Sequence, residues 1–231
     1  TKEVFKYDEG IKAYVEWINK GKEQIHETFL IQSKFLSQTA KKSYIEVDVA
    51  FQFKKDYLET IISFVNNVRT KDGGTHEVGF KTGLTKAVND YARKYNLVKD
   101  KDPNLDGSDI REGLTAIVSL RIPEHILEFE GQTKNKLGTP EARNATEQVV
   151  YEHFSTYLEE NKEVAESIIF RAQQAQRVRE AARKARDEAR LGKTRNKKEV
   201  VLSGKLSPAQ GKDKTVNELF LVEGDSAGGS A

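Results

Sequence analysis

Near the end of the chain an apolar run, Leu219-Phe220-Leu221-Val222, leads into Glu223-Gly224-Asp225-Ser226-Ala227-Gly228-Gly229-Ser230. A carboxylate at the end of a buried strand, followed by a Gly-rich turn toward a helix, sits where open α/β sheets place their ligands. Glu223 is therefore the first candidate for chemistry. Joined by carboxylates from elsewhere, it offers hard oxygen ligands suited to Mg²⁺, and a cation held there would stabilise charge developing on a phosphodiester oxygen. Two plainer readings fit the same residues: a turn that cradles phosphate, or a tight strand-to-helix turn in which Glu223 is a surface acid.

A second candidate is Gly131-Gln132-Thr133-Lys134-Asn135-Lys136-Leu137, a basic loop between a strand and a helical region. Such loops can set an ammonium group on a phosphate, although a Lys on a polar loop is most often an ordinary surface residue. The third is a basic stretch. Residues 171 to 200 hold 11 Lys/Arg against 4 Asp/Glu, whereas the whole chain carries a net charge of only +2. Arg177, Arg179, Arg183, Lys184, Arg186 and Arg190 recur there among apolar residues that are mostly Ala. They suit sequence-independent contacts to DNA phosphates. The alternative is a solvated helix in which Glu180, Asp187 and Glu188 pair with their neighbours.

Elements that could position these groups follow from periodicity. Ile11, Tyr14, Val15 and Ile18 have helical spacing behind Asp8-Glu9-Gly10, which predicts a short helix. Ile45, Val47, Val49, Phe51 and Phe53 alternate with polar residues and predict a strand with one buried face. Leu58 to Val65 is a second apolar run, and the short gap Lys54-Lys55-Asp56-Tyr57 predicts an antiparallel hairpin between the two. After the turn signal Lys71-Asp72-Gly73-Gly74, Thr75 is placed to cap a helix over 76–94 that buries Phe80, Leu84, Val88 and Tyr91. Leu114 to Ile122 reads as a third buried strand, ended by Pro123. From about Pro140 the chain is helical, and 162–191 lacks Gly and Pro, which predicts a long helix extending on the order of 45 Å. Gly192, Gly204 and Pro208 mark a linker.

The 231 residues contain no Cys, which excludes disulfides, thiolate nucleophiles and Cys-based zinc sites. No apolar run is long enough to span a bilayer, so no membrane partner is expected and the cytoplasm is the expected compartment. Thr1 is not an initiator Met, and both ends read as cut.

Glu223-Gly224-Asp225-Ser226-Ala227-Gly228-Gly229-Ser230-Ala231 resembles the first signature of the Toprim domain of type IIA DNA topoisomerases. Three further segments occur in the order of that family's B (ATPase) subunits: Asn66-Asn67-Val68-Arg69-Thr70-Lys71-Asp72-Gly73-Gly74-Thr75-His76, Asp109-Ile110-Arg111-Glu112-Gly113-Leu114 and Gln132-Thr133-Lys134. Ser203-Gly204-Lys205-Leu206-Ser207-Pro208-Ala209-Gln210 and Leu137-Gly138-Thr139-Pro140-Glu141-Ala142-Arg143-Asn144 resemble the topoisomerase IV group more than gyrase.

The resemblance implies an α+β fold. It consists of a transducer domain of the ribosomal-protein-S5-domain-2 type over 1–195, ending in the long basic helix, then a linker and the start of an α/β Toprim domain over 196–231. It implies that Gln132 and Lys134 touch the γ-phosphate of ATP bound by a domain preceding Thr1. It implies that Glu223 is a Mg²⁺ ligand in DNA cleavage and religation, with Asp225 a weaker candidate. The six basic residues above would face duplex DNA. The implied partners are double-stranded DNA, a DNA-cleaving A-type subunit and a second B subunit, with ATP and Mg²⁺ as cofactors. Alone, the chain is expected to be inactive, because the other metal ligands and the DNA-attacking tyrosine would lie elsewhere. A non-catalytic basic nucleic-acid-binding module is the competing reading.

Overall fold

In the computed structural model, residues 9–38, 43–99, 101–197 and the single positions 213, 215 and 218 are described. The elements in chain order are α1 (Ile11–Ile18), β1 (Phe29–Leu36), β2 (Tyr44–Phe53), β3 (Thr60–Val65), β4 (Val68–Arg69), α2 (Thr75–Lys94), α3 (Gly107–Ile110), β5 (Leu114–Arg121), β6 (Phe129–Glu130), β7 (Lys136–Leu137), α4 (Pro140–Glu160) and α5 (Lys162–Lys197). The chain divides into two compact units, Thr1–Glu180 and Ala181–Ala231. The first holds the sheet and the core.

Five strands form a mixed sheet in the order β1-β2-β5-β3-β4. β2 pairs antiparallel with β1 and β5, and β3 pairs parallel with β5. The antiparallel hairpin expected between β2 and β3 is therefore corrected, because β5 lies between them and takes hydrogen bonds from both. A period of two shows which face of a strand is buried; it does not show which strand lies beside it. Within the gap Lys54 is buried and its N–H donates to Gly113 O, while Tyr57 and Leu58 stand exposed.

Alternation assigns the two faces. Ile45, Val47, Val49, Phe51 and Phe53 of β2 join Leu114, Ala116, Val118 and Leu120 of β5 on the face covered by α2 and α4. Phe80, Leu84 and Val88 reach this core from α2, and Val150, Phe154 and Leu158 from α4. Phe51 is its centre, with ring centroids 5.0 Å from Phe154, 5.4 Å from Phe29 and 5.9 Å from Phe80. The opposite face carries Ala50 and Ile117, which pack on Val15 of α1. β2 is thus covered on both sides, which explains why its second half is buried at every position.

α2 and α4 approach closely because Gly79 and Gly83 present bare backbone. A Cβ at Gly79 would meet Arg143 C at 3.1 Å, and one at Gly83 would meet Glu147 Cα at 3.2 Å. Thr75 does not cap α2 as expected: the N-cap is Gly74 without a side-chain bond, and the Thr75 hydroxyl donates instead to Thr139 O at 2.7 Å.

The expected transducer-plus-Toprim pair is not the fold described. The described residues form an α+β fold of five α-helices, a mixed sheet and a small β6–β7 ribbon. The segment on which the Toprim start rested, Leu219 to Ala231, lies outside the described residues, as does the 198–212 linker.

Candidate functional site

Gln132, Thr133 and Lys134 lie at the tip of the β6–β7 hairpin, and all three are exposed. The turn needs left-handed backbone at two positions. Gly131 adopts φ 77 without a Cβ, and Lys134 adopts φ 54, a conformation uncommon for a residue with a side chain. Glu130 and Lys136 face each other across the ribbon and pair at 2.8 Å. Among the described residues no carboxylate pairs with Lys134, and its Nζ stands 6.0 Å from the centroid of the Phe129 ring. An exposed, unneutralised ammonium beside a side-chain amide suits contact with an anionic oxygen.

The base of the hairpin is fixed by the loop that precedes α2. Asp72 N–H donates to Asn135 O at 3.0 Å and Leu137 N–H to Gly73 O at 3.0 Å, while Gly74 and Leu137 form a parallel bridge. On the other leg, Gly138 N–H donates to Glu128 O at 2.8 Å, and the Thr139 hydroxyl accepts from Glu128 N–H at 2.9 Å.

Beneath this loop is a buried polar network. The Ser63 hydroxyl donates to Glu77 Oε1 at 2.8 Å and lies 2.6 Å from the Thr70 hydroxyl, which lies 3.1 Å from His76 Nε2. His76 is fully buried and its Nδ1 has no partner, and burial lowers its pKa to about 4. It is neutral at physiological pH. Two motifs separate in sequence, 66–76 and 132–134, are thus one structural unit.

The third motif, 109–114, serves elsewhere. Asp109, 5% exposed, accepts from Arg179 Nη2 at 2.8 Å and Nε at 2.9 Å in a two-pronged pair. Arg111 pairs with Glu59 at 2.9 Å, and Gly113 takes φ 78 against the carbonyls of Lys54 and Asp56. Arg171 Nη2 donates to Asp56 O at 3.0 Å and Gln173 Nε2 to Leu97 O at 2.8 Å. These bonds seat the first half of α5 on the sheet.

The basic residues of α5 consequently divide. Arg179 is committed to Asp109. Arg177, Lys184 and Arg186 are exposed, Arg183 lies 3.9 Å from Asp187, and Arg190 is exposed but engaged in an interaction of its own. Glu223 and Asp225 lie outside the described residues. Among the described residues no group of three or more His, Asp or Glu is placed to hold a metal ion, so their geometry supplies no step through Mg²⁺. Nor is any helix among them long and apolar enough to cross a membrane. Sequence reasoning missed Gly74, Thr75 and Leu137 as supports of the hairpin. The only available signal was the adjacent pair Gly73-Gly74, which marks backbone that must turn or approach another segment closely.

A family model described as DNA gyrase B matches residues 10–188. The chain is 56% identical over 230 residues to the B subunit of DNA topoisomerase 4 from Bacillus subtilis (strain 168), covering 100% of this chain and 34% of that one. It is 58% identical over 229 residues to the B subunit of DNA topoisomerase 4 from Staphylococcus epidermidis (strain ATCC 12228 / FDA PCI 1200), covering 99% of this chain and 33% of that one. The chain therefore spans about a third of the length of the curated relatives it matches. Among solved structures, the 43K ATPase domain of Thermus thermophilus gyrase B in complex with an aminocoumarin matches with TM-score 0.69 and 37% identity, over 81% of this chain and 48% of that one. Transducer plus Toprim is corrected on this ground too, since the matches are to the gyrase B family model and to a gyrase B ATPase domain. By the extent of the family match, this chain belongs to the DNA gyrase B family.

Proposed function

We propose that the chain is part of the B subunit of an ATP-dependent type IIA DNA topoisomerase of the topoisomerase IV kind, in which the β6–β7 hairpin couples nucleotide to DNA passage. The observation that carries this reading is the exposed Gln132-Thr133-Lys134 tip, with its unneutralised ammonium, on a rigid base in a member of the DNA gyrase B family. ATP, when bound, supplies a terminal phosphate that hydrolysis removes. Lys134 donates to an oxygen of that phosphate and Gln132 orients beside it, so the hairpin loses its anchor when the phosphate leaves.

Exposed Arg177, Arg183, Lys184, Arg186 and Arg190 face the duplex and neutralise phosphates without reading sequence. Arg179 has a lesser part, because Asp109 already holds it. Glu223 serves as a Mg²⁺ ligand for cleavage and religation together with residues beyond this chain. The partners are a DNA-cleaving A-type subunit, a second B subunit and double-stranded DNA. Topoisomerase IV is favoured over gyrase by the 56% identity to a topoisomerase 4 relative against 37% to the Thermus gyrase domain.

The test is Lys134→Ala in the complete subunit assembled with its partner. ATP hydrolysis and decatenation should fall by about two orders of magnitude, the scale of losing one preorganised charge contact at a reacting group, with the melting temperature unchanged. Unaltered turnover would sink the assignment.

A further inference from the structure

The hairpin tip has few supports of its own: Gly131 has nothing within 4 Å of where a Cβ would stand, and Gln132 to Lys134 are exposed. Its position is therefore inherited from its base. That base rests on the loop 70–75, above all on Gly74. Gly74 adopts φ 142, which L side chains rarely take, and lies so close to β7 that a Cβ there would run into the backbone N and O of Leu137 and come within 2.8 Å of its Cβ. It is also the N-cap of α2, a 20-residue helix whose Phe80, Leu84 and Val88 are fully buried. The loop is held from below by the Ser63, Thr70, His76 and Glu77 network and tied across by Thr75 to Thr139 O.

We propose that Gly74, together with the Thr75 hydroxyl, is the positioning element for Lys134: the bare backbone at Gly74 sets the distance between hairpin and core helix, and so where the ammonium stands relative to the phosphate. Neither residue touches nucleotide. The inference rests on the reading of Lys134 as a phosphate contact and adds to it the residues through which that contact is aimed. The same arrangement gives a route by which a movement of the hairpin reaches α2, because the Gly73, Gly74 and Leu137 backbones are bonded and bridged directly.

The experiment is a double-mutant cycle on steady-state ATP hydrolysis by the complete B subunit assembled with its DNA-cleaving partner. It compares wild type, Gly74→Ala, Thr75→Val, Lys134→Ala, and each of the first two combined with Lys134→Ala. Gly74→Ala should lower kcat by about tenfold or more, since small misplacements of a reacting group carry such costs, with KM for ATP changed by less than about twofold. Thr75→Val, which removes one hydrogen bond at nearly constant volume, should lower kcat by about threefold. In the Lys134→Ala background neither substitution should reduce turnover further, because their effect passes through that ammonium. A merely structural role would instead give losses that multiply in both backgrounds. Multiplying losses, or a folded Gly74→Ala with wild-type kcat, would overturn the proposal while leaving Lys134 in its role. If Gly74→Ala does not fold, the Thr75→Val cycle decides by the same criterion. Wild-type turnover in Lys134→Ala alone would instead remove the phosphate reading, and this inference with it.

Discussion

His76 carries a cost that pH exposes. Its imidazole is fully buried, one nitrogen lies 3.1 Å from the Thr70 hydroxyl and the other has no partner, so burial holds its pKa near 4 against 6.5 when exposed. A depressed histidine pKa means that the unfolded chain takes up the proton first as pH falls. Stability is complete above about pH 6.5 and is lost progressively between 6.5 and 4, by about 2 kcal/mol at pH 5. Burial lowers the His26 pKa as well, in the same direction. Urea unfolding at pH 7 and pH 5 should show this loss, and His76→Gln should show a smaller one; equal losses in the two proteins would assign the acid sensitivity to other groups. None of this was visible in the sequence, where His76 stood only as the last residue of a motif. Burial and the company of Ser63, Thr70 and Glu77 come from the packing of α2 on the sheet.

The elements differ in how far their sequence foretold them. α5 was legible because 162–191 contains neither Gly nor Pro, and α2 because Phe80, Leu84, Val88 and Tyr91 share one helical face. β6 and β7 were not, since two residues each are too few to display a period of two. Their turn read as a plain loop, and its rigidity comes from hydrogen bonds to Asp72 and Gly73, far earlier in the chain. The neighbours of β2 and β3 were misjudged for the same reason, as β5 enters between them from a distant part of the sequence. On α5 the basic residues were legible as a set but not by role. Arg179→Gln should cost about 2 kcal/mol of stability by leaving Asp109 buried without its partner, while barely changing how duplex binding depends on salt. Replacing Arg183, Lys184 and Arg186 together with Gln should leave stability within about 0.5 kcal/mol, and should reduce the salt slope of duplex binding by about one for each phosphate no longer neutralised. The opposite pattern would reverse the two assignments.

For the whole molecule, the ordered motifs carried family membership further than they carried architecture. Motifs 66–76 and 132–134 come together as one docked unit, and 109–114 anchors α5, so their preservation in order reflects one folded body rather than three separate sites. The division into transducer and Toprim start rested on family analogy and on nine residues outside the described set, and it gave way to a single α+β fold matched by a gyrase B ATPase domain. The chain spans about a third of its curated relatives, so the activity of the whole enzyme must be measured on the whole enzyme. The most direct measurement incubates the complete B subunit and its DNA-cleaving partner with interlinked and with relaxed circular DNA, with and without ATP. The account predicts ATP-dependent separation of the linked circles and no negative supercoiling of the relaxed ones. Negative supercoiling would contradict the topoisomerase IV assignment, and the absence of any ATP-dependent strand passage would contradict the proposed function altogether.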